Sequence, residues 1–173
     1  MVEAASYSAV ETLRDGRRVE IRALQPKDRD DLLAAVSRTS AQSLYRRFFG
    51  VKREFTDKET SFYVDVDFVG HVALVVVADE GGQPAIIGGG RYVVVKPGQA
   101  EVAFAVIDQY QGQGIGAALM RNLASIARGA GLRELTAEVL PNNLQMLKVF
   151  ERSGFPLSTK RESGVVHVAI QLS

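Results

Sequence analysis

The sequence predicts an α/β protein built on one mixed sheet with helices on its faces. Three features carry this. The first half reads as strands joined by tight turns. A strand, a glycine-rich turn and a long amphipathic helix then run through residues 102–130. A further strand, a helix and a closing hairpin follow. Hairpins make antiparallel ladders, whereas a strand–helix–strand unit makes a parallel pair, so a sheet holding both is mixed. About seven strands flanked by about four or five helices are expected.

Residues 1–16 read as a loosely held lead, and 17–173 as a single domain. Residues 18–24 alternate polar and apolar, as a half-buried strand does. Pro26 suits the first turn of a helix whose buried stripe is Leu32, Leu33 and Val36. Residues 43–49, with Leu44 and Phe48 one turn apart, fit a second helix, and 55–63 a short third. Residues 72–78 form an apolar run bounded by turn residues, and 85–95 return as the antiparallel partner across Gly81-Gly82. Lys96-Pro97-Gly98 turns the chain into a strand over 100–107. After the glycine turn comes a helix to Ala130, a strand over 134–140 and a helix over 142–153 that Gly154 stops. Strands at 156–161 and 165–172 close the sheet across Ser163-Gly164.

Composition narrows the function. The chain has 173 residues, 46% of them hydrophobic and 24% charged, as in an ordinary globular protein with a substantial core. A net charge of +1 provides no basic field for nucleic acid. No cysteine is present, which removes disulfides, thiolate metal sites and a cysteine nucleophile together. His71 and His167 are the only imidazoles, so a metal centre is not expected. Residues 1–5 lack the apolar core of a secretory signal. The longest apolar run, 72–78, falls far below the roughly 20 residues of a membrane helix. A cytoplasmic protein without a membrane partner is the expectation.

The chemistry concentrates in Gln111-Gly112-Gln113-Gly114-Ile115-Gly116-Ala117. A glycine turn opening a helix leaves unpaired N–H groups at the positive end of the helix dipole, and glycines let a large anion approach them. A phosphate or diphosphate is the fitting guest. A P-loop requires Lys and Ser/Thr after the last glycine, but Ala117-Ala118 stand there. Gly112-x-Gly114-x-x-Ala117 satisfies the dinucleotide pattern, with Glu134 near the ribose distance. However, it lies after an antiparallel meander, with too few residues left for the parallel strands that such a fold needs. A bare turn without ligand is the third reading.

Gln111-x-x-Gly114-x-Gly116 also resembles the acetyl-coenzyme A signature of the GNAT N-acetyltransferases. The preceding strand 101–106 resembles that family's in spacing, and Asn143-x-x-Met146-x-x-x-Phe150-x-x-x-Gly154-Phe155 is similar to its second cofactor motif. The order of elements matches from about Arg17 onward. Residues 43–49 and the stretch from Asp65 to Val75 resemble bacterial protein lysine acetyltransferases, which often modify acyl-CoA synthetases.

This resemblance implies the GNAT fold, acetyl-CoA as co-substrate and a protein lysine as acceptor, with an acyl-CoA synthetase as one partner. Acetylation of a small amine or amino acid, and a non-catalytic acyl-CoA-binding module, are the alternatives. A lysine amine is almost wholly protonated near neutrality, so a general base is needed. Glu101 is the candidate, with Glu138 the next. The resemblance implies that Phe104, Ala105 and Val106 flank the pantetheine arm through main-chain groups. It further implies a cofactor-binding turn in which Gln111 caps or orients the loop and Gly112, Gln113, Gly114, Ile115, Gly116 and Ala117 surround the diphosphate, with Asn143 contacting the cofactor and Phe150 packing against the cofactor or the core. Asn143 also suits a helix N-cap. Phe150 stands where many relatives have a tyrosine to protonate the leaving thiolate, which phenylalanine cannot do. Lys148 and Arg152 are candidates for the 3′-phosphate, and His71, Arg46 and Arg47 for acceptor contacts. Each of these charged groups also fits an ordinary exposed or packed residue. The absence of cysteine favours direct attack by the amine over an acyl-cysteine.

Overall fold

A computed structural model describes residues 4–37, Lys58 and residues 64–172. Eight strands form one sheet: β1 (Ser8–Thr12), β2 (Arg18–Ala23), β3 (His71–Glu80), β4 (Gln83–Lys96), β5 (Gln99–Val106), β6 (Glu134–Val139), β7 (Leu157–Glu162) and β8 (Val165–Gln171). Among the described residues there are three α-helices: α1 (Arg29–Ser37), α2 (Ile115–Gly129) and α3 (Leu144–Glu151). The helices expected over 43–49 and 55–63 lie outside the described residues, apart from Lys58, which is helical. None of the described helices is long and apolar enough to cross a membrane.

The sheet order is β1-β2-β3-β4-β5-β6-β8-β7. Every neighbouring pair is antiparallel except β5–β6. That parallel pair is bridged by α2, as a strand–helix–strand crossover requires. The mixed sheet read from the sequence is therefore present, with eight strands instead of about seven.

The additional strand is β1, inside the segment read as a lead. Its alternation is inverted: Val10 is 68% exposed on the outer face of the sheet edge, while Glu11 is half-buried. Glu11 accepts hydrogen bonds from Arg121 and Asn122 of α2, each at 3.1 Å. Apolar periodicity cannot reveal a strand whose inward contacts are polar.

α2 is held by one apolar face. Ile115, Ala118, Leu119, Leu123, Ala124 and Ala127 are buried at three- and four-residue spacing. Burying a leucine completely contributes about 1.5–3 kcal/mol, and Leu119 and Leu123 are both 0% exposed. The seat beneath them is glycine. A Cβ at Gly90 of β4 would lie 2.6 Å from Phe104 and 3.1 Å from Leu123. Gly90 pairs with Phe104, so this face of β4 and β5 supports α2. Glu101, Ala103 and Ala105 alternate onto the opposite face.

Candidate functional site

Only three residues of β5 pair with β6: Gln99 with Glu134, Ala100 with Leu135 and Glu101 with Thr136. Beyond Glu101 the strands part, and α2 and α3 begin on either side of the gap. A cleft of about 680 Å³ opens there. Directly after β5, Ile107 N–H donates to Ile87 O at 2.9 Å, toward β4. Hydrogen-bonding direction alternates along a strand, so the main-chain groups of Phe104 and Val106 face the gap that β6 has vacated. An extended ligand arm laid there would meet the edge of a sheet.

The floor of the cleft follows from the turn. Gly112 has φ 81° and Gly114 has φ 89°, left-handed conformations that glycine adopts without strain. Gly114 is the N-cap of α2, so the first amides of the helix open onto the cleft. Gln111 ties this turn to β5: its Nε2 donates to Val106 O at 3.0 Å. Gly116 lets α3 close in, since a Cβ there would lie 3.2 Å from Val149.

Asn143 caps α3, its Oδ1 accepting from Met146 N–H at 3.3 Å. Phe150 is 2% exposed and its ring lies 5.9 Å from that of Phe104. It is a core wall of the cleft. Tyr110 is the hydroxyl-bearing side chain among the cleft residues, and it donates to Glu80 at 2.9 Å. Burial, followed by the Glu80 carboxylate, holds its phenol above the ordinary value, partly offset by Arg17, whose guanidinium stacks 4.7 Å from the ring. Tyr110 is therefore a locked donor, already committed to Glu80.

Of the residues singled out from sequence, Glu101, Phe104, Ala105, Val106, Gln111, Gly112, Gly114, Ile115, Gly116, Ala117, Asn143 and Phe150 all line this cleft, and Gln113 does not. Glu138, Lys148 and Arg152 line it as well. Glu138 faces His167 on β8 at 3.7 Å. His71 lies on β3, across β4 from Glu101, in contact with Arg91 at 2.9 Å. Arg46 and Arg47 lie outside the described residues.

Sequence reasoning missed Arg14. It sits at the β1–β2 turn, where Leu13 N–H donates to Arg17 O at 2.8 Å. From there its own N–H reaches Gln113 O at 3.2 Å, and its Nη1 reaches Gly112 O at 3.2 Å. Asp15-Gly16 is a hairpin signal that points to this turn, but nothing local shows what the turn touches.

A sequence profile described as the acetyltransferase (GNAT) family matches residues 38–155. The acetyltransferase PA5475 of Pseudomonas aeruginosa is 35% identical over 127 residues, covering 73% of this chain and 68% of that protein. Acetyltransferase Pat of Mycolicibacterium smegmatis is 33% identical over 164 residues, covering 92% of this chain. This chain spans about half of Pat, 47% of its length. The crystal structure of the GNAT domain of S. lividans PAT superimposes with a TM-score of 0.85 at 34% identity, covering 95% of this chain and 96% of that one.

Proposed function

The chain belongs to the acetyltransferase (GNAT) family, and from that premise we propose that it carries the acetyl group of acetyl-CoA to a protein lysine ε-amine. An acyl-CoA synthetase is one candidate acceptor. The observation that supports this reading is the parting of β5 and β6 directly after Glu101, which opens a cleft lined by both that carboxylate and the glycine turn. Support for a protein acceptor is the resemblance of residues 43–49 and 65–75 to bacterial protein lysine acetyltransferases.

The co-substrate supplies an acyl thioester; this chain's residues grip, orient and move protons. The glycine-turn amides and the α2 N-terminus hold the diphosphate. The edge of β5 at Phe104 and Val106 that β6 leaves uncovered pairs with the pantetheine arm, and one of its N–H groups polarises the thioester carbonyl. Glu101 removes the proton from the attacking amine, directly or through water, a contribution of about 10²–10⁴-fold. Ala103 and Ala105 leave room for the acceptor beside it. Phe150 fills the core and donates no proton, so the thiolate leaves unassisted or takes a proton from water; a thiol pKa near 8.5 makes that tolerable.

The test is thiol release from acetyl-CoA with lysine peptides, a folded acyl-CoA synthetase, and small amines including amino acids. Release with protein or peptide lysine, together with acetylated lysine in the acceptor by mass spectrometry, is the expected result. Turnover confined to small amines would move the acceptor to that class. Binding of CoA with no release under any condition would favour the non-catalytic module, which Phe150 in place of a proton-donating residue favours.

A further inference from the structure

We infer that Arg14, at the tip of the β1–β2 hairpin, is a binding residue for the diphosphate of the co-substrate; this rests on the function proposed above.

The glycine turn has a charge problem. Residues 111–117 contain no cation, so a diphosphate there would meet only backbone dipoles. The first basic residue of α2, Arg121, is engaged with Glu11 at 3.1 Å. Lys148 and Arg152 line the cleft from the α3 side. Arg14 arrives from the other direction, 98 positions away from Gly112 in sequence.

Two hydrogen bonds put it there. Its main-chain N–H donates to Gln113 O at 3.2 Å, which docks the hairpin tip on the turn. Its Nη1 donates to Gly112 O at 3.2 Å. Its Nε lies 3.8 Å from where a Gly114 Cβ would stand, so the guanidinium spans the two left-handed glycines. Arg14 also lines the cleft itself. Guanidinium has five N–H donors, and one carbonyl engages one of them, which leaves the fork suited to phosphate oxygens. Arg17 stacks on Tyr110 next to the turn and steadies the same hairpin. The hairpin thus adds to the turn the cation that its own sequence omits.

Calorimetry with CoA and dephospho-CoA, at several salt concentrations, tests this on wild type, Arg14→Gln and Arg14→Lys. Arg14 is exposed and its docking bond to Gln113 is main-chain, so both variants fold, as thermal melts will verify. Arg14→Gln should weaken both nucleotides by about tenfold, with a shallower dependence on salt, and Arg14→Lys, which keeps the charge but not the fork, should fall between Arg14→Gln and wild type with a wild-type dependence on salt. Wild-type affinity in Arg14→Gln would overturn the inference. So would a loss confined to CoA, which would assign the cation to the 3′-phosphate. Equal losses in both variants with an unchanged salt dependence would reduce Arg14 to a latch on the turn and overturn it as well. Absence of CoA binding by the wild-type protein would instead sink the proposed function.

Discussion

Glu101 owes its candidacy to position. It is the last β5 residue in the parallel ladder, exposed at the point where the cleft begins. Glu101→Gln keeps the shape and removes the proposed base. Turnover should fall by about 10²–10³-fold while the dissociation constant for acetyl-CoA stays within about twofold, as measured by stopped thiol-release assays and calorimetry. Loss of binding in that variant would mean a structural carboxylate. Gly112 allows a complementary substitution. Its φ of 81° excludes most side chains, yet a Cβ there meets nothing within 4 Å. Asn and Asp tolerate the left-handed region, so Gly112→Asn and Gly112→Asp differ mainly by one charge. The aspartate should bind CoA about tenfold more weakly than the asparagine, since the same backbone would then carry an anion facing a diphosphate.

At the scale of elements, β4 is the seat of α2, and Gly90 leaves the room that Phe104 and Leu123 occupy there. Gly90→Ala drives a methyl to 2.6 Å from the Phe104 ring, which packs against Phe150 and has little freedom to yield. Overpacking of this kind costs about 1–3 kcal/mol, so urea unfolding should show a lower midpoint with an unchanged slope. The same shift of Phe104 moves a wall of the cleft, so CoA affinity should fall with it. The short parallel contact of β5 and β6 is the other decisive element. Had the ladder continued past Glu101 and Thr136, the uncovered edge of β5 would be consumed and no arm could lie against it.

For the whole molecule, one ion pair links the start of α1 to the sheet. Asp28, 2% exposed, accepts from both Arg22 Nη atoms at 2.8 and 2.9 Å and from Gln25 N–H at 2.8 Å. Burial alone would raise its carboxyl, but the Arg22 fork and the Gln25 amide outweigh it and hold it below 3.8. A carboxylate depressed in the folded state contributes fully above its unfolded value and loses that contribution as pH falls through the folded one. Stability should therefore be flat from neutrality to about pH 4 as far as this pair is concerned, and decline below it. Asp28→Asn should destabilise the protein by about 3 kcal/mol at pH 7 and flatten the acid limb of its stability curve, read from denaturant midpoints across pH.

Much of this was legible in the chain itself. Apolar patterning and the turn residues between runs located strands β2 to β8 and helix α2; β7, exposed along nearly its whole length, was read from the hairpin across Ser163-Gly164. Gly112, Gly114 and Gln111 marked the turn, because positive φ and helix capping demand particular residue types. Asn143 was readable as a cap for the same reason. β1 was not legible, because its inward residues are a small alanine, Ala9, and a glutamate, Glu11, paired to a helix more than a hundred positions away. Neither was Arg14. Whether a hairpin tip lies on a glycine turn depends on how the sheet edge folds over α2, which no local pattern encodes. Local residue chemistry thus determined the elements and the glycine turn. Only the tertiary arrangement decided that β5 and β6 separate after Glu101 and that a distant arginine reaches the turn, because both arise from packing between segments far apart in the chain.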